Sequence, residues 1–494
     1  MDLAPKFTIF LLAIVLQLCV AFCREAQNAY NYNSIAIPLY RGNAFAHLEV
    51  QGSSPEDEDE AVQKVARAVQ ASKARVTALK KGLLRKPMQE IKKQKKGKSP
   101  GRGVVENLYA RSFGGYSMKI SLGTPPQEMT VIMDTGSDLV WVPCTRSYDC
   151  DRCKNSSDPP FLPRNSSSKI LVTCSDPNCK NLHGNITERL CFSRDKCSGT
   201  LSNCSHVTCP IYGLQYGRGS TIGFLLSETL TFGGSGREIR NFAVGCSLAS
   251  SEQPNRGTGI AGFGRGSLSL PSQMGSAGNS FAYCLQSHSF DEEKISSRLE
   301  LGKISPPLHL HYTPFMTNPT ESPYDVFYYL GLRALTVGEQ HLKLPSKLMR
   351  IDESGSRGTI IDSGTTFTVV DERIHEQIAG AFVSQTQYSR ASKIEALTGL
   401  GLCYNVSGLQ KIFLPKFGFH FKGGARMELP LENYVIGVGG DSICLAMISN
   451  SGILDQDSGP SVVLGNFNQQ NFYLFYDRKN NRLGFAPKHC ASPT

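Results

Sequence analysis

The residues best suited to chemistry in this 494-residue chain are two aspartates in matching settings. Val131-Ile132-Met133-Asp134-Thr135-Gly136-Ser137 and Thr359-Ile360-Ile361-Asp362-Ser363-Gly364-Thr365 each run an apolar segment into an acid, a hydroxyl residue, a glycine and a second hydroxyl residue. A strand that stops at an acid before a permissive glycine aims the carboxylate out of a turn. The flanking hydroxyls can donate hydrogen bonds that hold that carboxylate in one orientation. One such tetrapeptide reads equally well as an ordinary β-turn. Two, each continued by an apolar run (Leu139-Val140-Trp141-Val142 and Phe367-Thr368-Val369-Val370), point to a pair of acids serving one reaction. Facing carboxylates cannot both ionise cheaply and titrate as a coupled dyad. The ionised member can take a proton from water while the neutral member donates to a carbonyl, with no metal and no covalent intermediate.

The elements that must position these acids are short and repeat. Ile260-Ala261-Gly262-Phe263 after the first acid matches Val463-Leu464-Gly465-Asn466-Phe467 after the second, so the order strand, acid loop, apolar-Gly strand occurs twice. Glycine-punctuated strands dominate, which predicts an all-β protein of two lobes with a cleft between them, one acid from each. Prolines at 306, 307, 314, 319 and 323 mark the join, placed near Met316 to Tyr324. The expected divisions are a signal peptide over 1–23, a basic propeptide over 24–108, an N-terminal lobe over 109–318 and a C-terminal lobe over 319–494.

Phe7 to Phe22 is an apolar run, too short and too near the terminus to favour a membrane span; an uncleaved anchor is the less favoured alternative. The mature form is expected to enter the secretory pathway, to carry no membrane span and to be a monomer. The cell exterior or cell wall is the expected destination, with the vacuole as the alternative. Arg24 to Gly103 holds sixteen Lys/Arg against eight Asp/Glu, eight of the chain's ten surplus positive charges. Glu56 to Glu60 is an acidic run ahead of a helix-like stretch, Ala61 to Leu84, whose cations gather toward its end as the helix dipole favours. The run Lys92 to Gly101 reads as a solvated linker. The basic run invites a nucleic-acid role, but the expected secretory leader argues against one and no reader module accompanies the run. Processing is expected between Gly101 and Ser112.

Nine cysteines crowd into 144–209. In a secreted chain they read as disulfides rather than zinc ligands, despite Cys150-x-x-Cys153. Nine is odd, so at least one partner lies outside, among Cys246, Cys284, Cys403, Cys444 and Cys490. The block is Asn/Ser/Pro-rich, a surface insertion. Sequons at Asn155, Asn165, Asn185, Asn203 and Asn405 are candidate glycosylation sites. Gly257 to Gly262 fits G-x-G-x-x-G but lacks the following acid, and His309-x-His311 lacks a third ligand. No HExxH, Walker or G-x-S-x-G sequence occurs. No cofactor and no metal are expected.

The two acid loops resemble those of the pepsin-like aspartic proteases, and the cysteine-rich block resembles the insertion of the nepenthesin-type plant members. The likeness covers about Tyr116 to Cys490. It implies an acid-active endopeptidase made as a zymogen, with polypeptide substrates and sensitivity to pepstatin-like inhibitors. It further implies that Asp134 and Asp362 are catalytic, that Thr135 and Ser363 brace the loops against each other across Gly136 and Gly364, and that Ser137 and Thr365 bond the outer carboxylate oxygens. The segment Tyr212 to Gly223 resembles the family's flap, with Tyr216 and Gly217 over the substrate and Trp141 packed beside it. Arg218 stands where plant members usually have an acid. The propeptide's cations would pair with the active-site carboxylates; the alternative is a tail that aids folding or secretion and is then removed. The rival reading is a catalytically inactive protein of the same fold that binds another protein, as xylanase-inhibitor-like relatives do. A cysteine-rich cell-wall glycoprotein would explain the leader and sequons but not the duplicated acid loops.

Overall fold

In the computed structural model, the two acid loops are built the same way. The strand Gln127–Asp134 pairs antiparallel with Tyr116–Leu122, Ser117 opposite Ile132, and parallel with Gly259–Gly262, Ile260 opposite Ile132. Gly259–Gly262 then meets Trp141–Pro143 antiparallel at Trp141. In the second half, Thr359–Ile361 pairs antiparallel with Tyr328–Leu330 and parallel with Val462–Leu464, which meets Thr368–Val370 antiparallel. The apolar-Gly strand therefore runs between the strand that enters the acid turn and the strand that leaves it. Backbone bonds pin the turn to it: Phe263 N donates to Asp134 O at 2.7 Å, and Asp362 N donates to Leu464 O at 3.0 Å. These strands are buried on both faces, which is why they read as continuous apolar runs rather than alternating ones.

The structure describes residues 45–49, 55–81 and 103–490, apart from short stretches at 151–158, 193–199, 217–218, 252–258, 288–289, 291–295, 308, 321, 353, 440 and 454–457. The leader, the linker after the long helix, Asn155, Gly217 and Arg218 lie outside the described residues. From Phe45 onward the chain forms one compact unit. A large sheet underlies both halves. In it Phe472–Asp477, from late in the chain, lies between Arg482–Pro487 and Ser280–Cys284, and the sheet continues through Ser296–Leu301 and Val104–Ala110 to the first acid strand. Val104 and Leu108 are buried in it, so the strand crosses the position, 108, at which the sequence divides propeptide from lobe.

Cys144 pairs with Cys246, the partner outside the crowded block, and ties the strand after the first acid loop to Glu238–Ser251. Cys174–Cys191 and Cys179–Cys209 staple short helices within the insertion. Cys284–Cys490 and Cys403–Cys444 lie outside it, and Cys150 and Cys204 are also oxidised.

The long helix spans Pro55–Lys81, so the acidic run forms its first turns rather than preceding it. Proline is tolerated at a helix start, and acids there meet the positive end of the dipole. Val62, Val65, Ala68, Val69, Ser72, Arg75, Val76 and Leu79 are buried, a stripe at helical spacing with one arginine in it. The stripe packs on Tyr324, Phe327, Phe367 and Leu400 of the second half, and the helix lies against Thr368–Val370 and Ser392–Thr398. Upstream, Phe45–Glu49 pairs antiparallel with Lys411–Pro415.

Candidate active site

Each acid is held by the same set of donors. Asp134 Oδ1 accepts from Gly136 N at 2.9 Å and Oδ2 from Ser137 Oγ at 2.6 Å. Asp362 Oδ1 accepts from Gly364 N at 2.8 Å and Oδ2 from Thr365 Oγ1 at 2.6 Å. The loops also clasp each other: Ser363 N donates to Thr135 Oγ1 at 2.9 Å, Thr135 N donates to Ser363 Oγ at 3.1 Å, and Ser363 Oγ donates to Met133 O at 3.0 Å. This reciprocal pairing reaches across 228 residues and sets the two turns face to face. Both glycines are required by the approach of the opposite acid. A Cβ on Gly136 would come within 2.6 Å of Asp362 Oδ1, and one on Gly364 would strike Asp134 Oδ1.

One cation reaches both acids. Arg75, from the long helix, donates through one terminal nitrogen to Asp134 Oδ1 at 2.7 Å and Oδ2 at 2.9 Å, and through Nε to Asp362 Oδ2 at 3.2 Å. All three side chains are buried. The helix is fixed at other points too. Phe367 N donates to Ser72 Oγ at 3.0 Å, and Tyr324 Oη donates to Lys80 O at 2.9 Å.

The electrostatics follow from this packing. Burial pushes the Asp134 carboxyl up, Arg75 pulls it down, and the charge of Asp362 pushes it up again; it comes to about 6. Burial also disfavours the Asp362 anion, but Arg75, Thr365 and Gly364 outweigh that and hold it below the usual carboxylate range. The Arg75 guanidinium stays charged because the two acids outweigh its desolvation. One acid is thus easily protonated and its partner easily ionised, the asymmetry a proton-sharing dyad requires.

Above the acids, Tyr212–Gln215 and Ser220–Thr231 form a hairpin, with Tyr216 at its turn. Trp141 Nε1 donates to Tyr216 Oη at 2.7 Å, and the rings sit 5.9 Å apart. A cavity of about 100 Å³ remains between helix, hairpin and acid loop, lined by Arg75, Leu79, Ser137, Leu139, Tyr216 and Phe327. Asn165, Asn185, Asn203 and Asn405 are exposed. The described cysteines that cluster closely enough to bind a metal, Cys174, Cys179, Cys191 and Cys209, are all in disulfides.

The sequence brings Asp134, Asp362, their hydroxyl neighbours, Tyr216 and Trp141 forward, and the structure gathers them into one place. Arg75 was not singled out. Its signal was available, a charge standing in the apolar stripe of a helix where the 3.6-residue period calls for a core residue. Gln469, Tyr283 and Tyr476, in the floor beneath the acids, carried no such signal.

The family model described as "Xylanase inhibitor N-terminal" matches residues 116–303, and "Xylanase inhibitor C-terminal" matches 327–487. A probable aspartyl protease of Arabidopsis thaliana is 32% identical, the match covering 78% of this chain and 84% of the relative. Aspartic proteinase nepenthesin-1 of Nepenthes gracilis is 35% identical over 79% of this chain and 81% of its own length. Among solved structures, soybean Basic 7S globulin matches with a TM-score of 0.59 at 18% identity, covering 79% of this chain and 98% of that one, a likeness of fold.

Proposed function

The chain belongs to the pepsin-like aspartic protease family, in its nepenthesin-type plant branch, and on that premise we propose that it is an acid-active endopeptidase made in a self-inhibited form. The observation that carries this reading is the pair of equivalent acid loops, each with its full set of donors and both converging on one cation. In the active form the ionised acid of the Asp134–Asp362 dyad takes a proton from water, which attacks the scissile carbonyl. The neutral acid donates a hydrogen bond to that carbonyl, and a proton passes to the leaving amine. Thr135, Ser363, Gly136 and Gly364 keep the acids in register, while Ser137 and Thr365 bond their outer oxygens. Tyr216, steadied by Trp141, orders an extended polypeptide beneath the hairpin.

Arg75 occupies the dyad in the resting chain. Docking of the helix lowers the proton affinity of Asp134, so docking is favoured where both acids are ionised and weakens as pH falls through about 6. Acidification thus loosens the helix and charges the dyad with its working proton together. Processing follows, in the stretch after the helix. We place the mature protein in the secretory pathway, with Asn165, Asn185, Asn203 and Asn405 accessible to glycosylation. The protein-binding alternative draws on the xylanase-inhibitor description of the matching family models. Cleavage of denatured haemoglobin from about pH 2 to 7, with and without pepstatin, separates the two. Acid-peaked, pepstatin-sensitive cleavage supports the protease. No cleavage by a folded, processed sample supports the binder.

A further inference from the structure

The strand Lys411–Pro415, in the second half, is paired on one side only, and by the leader. Phe45–Glu49 runs antiparallel to it, with Ala46 opposite Leu414, His47 opposite Phe413 and Leu48 opposite Ile412. Among the described residues no other strand pairs with it. Along an antiparallel strand, successive backbone groups point to alternate sides. Two bonds fix which side is which. Phe413 N donates to Tyr388 Oη at 2.8 Å, and Pro415 O accepts from Tyr434 Oη at 2.9 Å. Those groups are turned away from the leader, and the N–H and C=O of Ile412 and Leu414 are therefore turned toward it. The side chains of Ile412 and Leu414 are buried in the main core, which anchors the strand independently of its neighbour. Cutting after the long helix removes Phe45–Glu49 together with Arg75. The event that frees the dyad thus also strips the backbone groups of Ile412 and Leu414 of their partners.

We propose that this edge is a second peptide-docking site of the processed protein, and that its occupant is an extended stretch of polypeptide substrate, added as an antiparallel strand away from the dyad. This rests on the endopeptidase reading above. The leader shows the fit: an extended segment of polypeptide lies there in the resting chain, and the same polypeptide continues into the dyad. Strand addition draws its affinity from main-chain bonds, so it tolerates varied sequences. A second copy of the chain fits less well. The edge is short, Pro415 at one end has no N–H, and Lys411 at the other is exposed, features that oppose longer edge-to-edge pairing. Pro55 to Arg75 runs about 30 Å along the helix. A substrate that reaches both places needs at least about ten extended residues between its docked stretch and its scissile bond. Docking therefore helps long substrates and does nothing for short peptides.

The test uses processed wild type, freed of its leader by gel filtration in acid, and a labelled synthetic peptide of residues 43–51. Binding is read by fluorescence anisotropy with pepstatin present to fill the cleft, and should saturate. N-methylation at Ala46 or Leu48, whose N–H groups face Leu414 and Ile412, should weaken it at least about tenfold. The same change at His47, whose N–H points away, should alter it by no more than about twofold. The unlabelled peptide, checked by mass spectrometry to be uncut, is then added to hydrolysis assays without pepstatin. It should raise KM for denatured haemoglobin with kcat unchanged, while a short quenched peptide is cleaved as before. The proposal is overturned by absent binding, or by equal losses from all three methylated peptides. Inhibition of both substrates alike, which puts the peptide in the cleft, overturns it too, as does haemoglobin cleavage that ignores a bound peptide. Self-association of the processed protein that the peptide disperses gives the edge to a second copy and also overturns it. Wild type that cleaves neither substrate overturns the endopeptidase reading and, with it, substrate as the occupant. The methylation series needs no activity, so it tells that failure apart from an edge that takes no strand.

Discussion

Replacing Arg75 by methionine should switch the unprocessed chain on. The guanidinium makes three hydrogen bonds, at 2.7, 2.9 and 3.2 Å, to two carboxylates that are themselves buried. Methionine keeps the apolar stem in the helix stripe and removes only the charge and its donors. Truncating one partner of a buried ion pair costs about 3–5 kcal/mol, because the other charge is left uncompensated. That shifts the docking equilibrium of the helix by about 10²–10³-fold or more. The apolar contacts of Val65, Val69, Val76 and Leu79 remain, so the helix should loosen rather than detach. The assay is hydrolysis of a short quenched peptide at about pH 5 to 6.5 by chain purified at neutral pH, with mass spectrometry to show that it is uncut. Wild type should be silent until processed, and Arg75→Met should hydrolyse at full length. Arg75→Lys, which keeps the charge but loses the fork, should fall between them. An uncut Arg75→Met chain as silent as wild type at every pH, beside an active processed wild type, would refute the reasoning.

Other consequences are as specific. Gly364→Ala forces a methyl onto Asp134 and should lower kcat at least about a hundredfold, with a stability loss of about 1–3 kcal/mol by thermal unfolding. Tyr216→Phe leaves the buried Trp141 indole N–H without its acceptor, so peptide turnover should fall through both kcat and KM, with a stability loss of about 1–3 kcal/mol by thermal unfolding. His375 is buried with no hydrogen-bond partner at Nε2, and burial, Lys73 and Arg390 bring it down to about 4. A depressed histidine stabilises the fold only above its unfolded value near 6.5, and that contribution is lost as pH falls through about 4. His375→Gln should therefore flatten the unprocessed chain's acid destabilisation between those values, by up to about 3 kcal/mol in denaturant melts compared with wild type.

What could be read in advance was whatever recurs at short range. The acid loops announce themselves because a strand, a turn glycine and two hydroxyls are local chemistry, and their repetition rules out coincidence. Tyr216 and Trp141 stand at recognisable distances along the chain. The odd count of crowded cysteines required a partner outside, and Cys246 is that partner. The inhibiting contact was legible as a tendency, a basic leader segment facing acids, but not as a residue. Choosing Arg75 from sixteen cations needs the helix register together with the position of the cleft. The buried hydrogen bonds of Tyr283 with Gln469 and Tyr476 were not legible at all. Tyr283 and Tyr476 lie in apolar runs that already explain them, and only the pairing of Ser280–Cys284 with Phe472–Asp477 places the two phenols together. Likewise the strand Val104–Ala110 looked like the tail of a leader. Its burial in the shared sheet comes from partners nearly two hundred residues later, at Ser296–Leu301.

The measurement that bears most directly on the central claim is the pH profile of peptide hydrolysis by processed wild type, Asp134→Asn and Asp362→Asn, each checked for intact folding. A shared-proton dyad predicts an acid bell for wild type and a loss of at least about a thousandfold in both variants, since neither acid can act without the other. Substantial hydrolysis surviving in either variant, or a wild-type rate that rises toward neutral pH, would contradict the dyad.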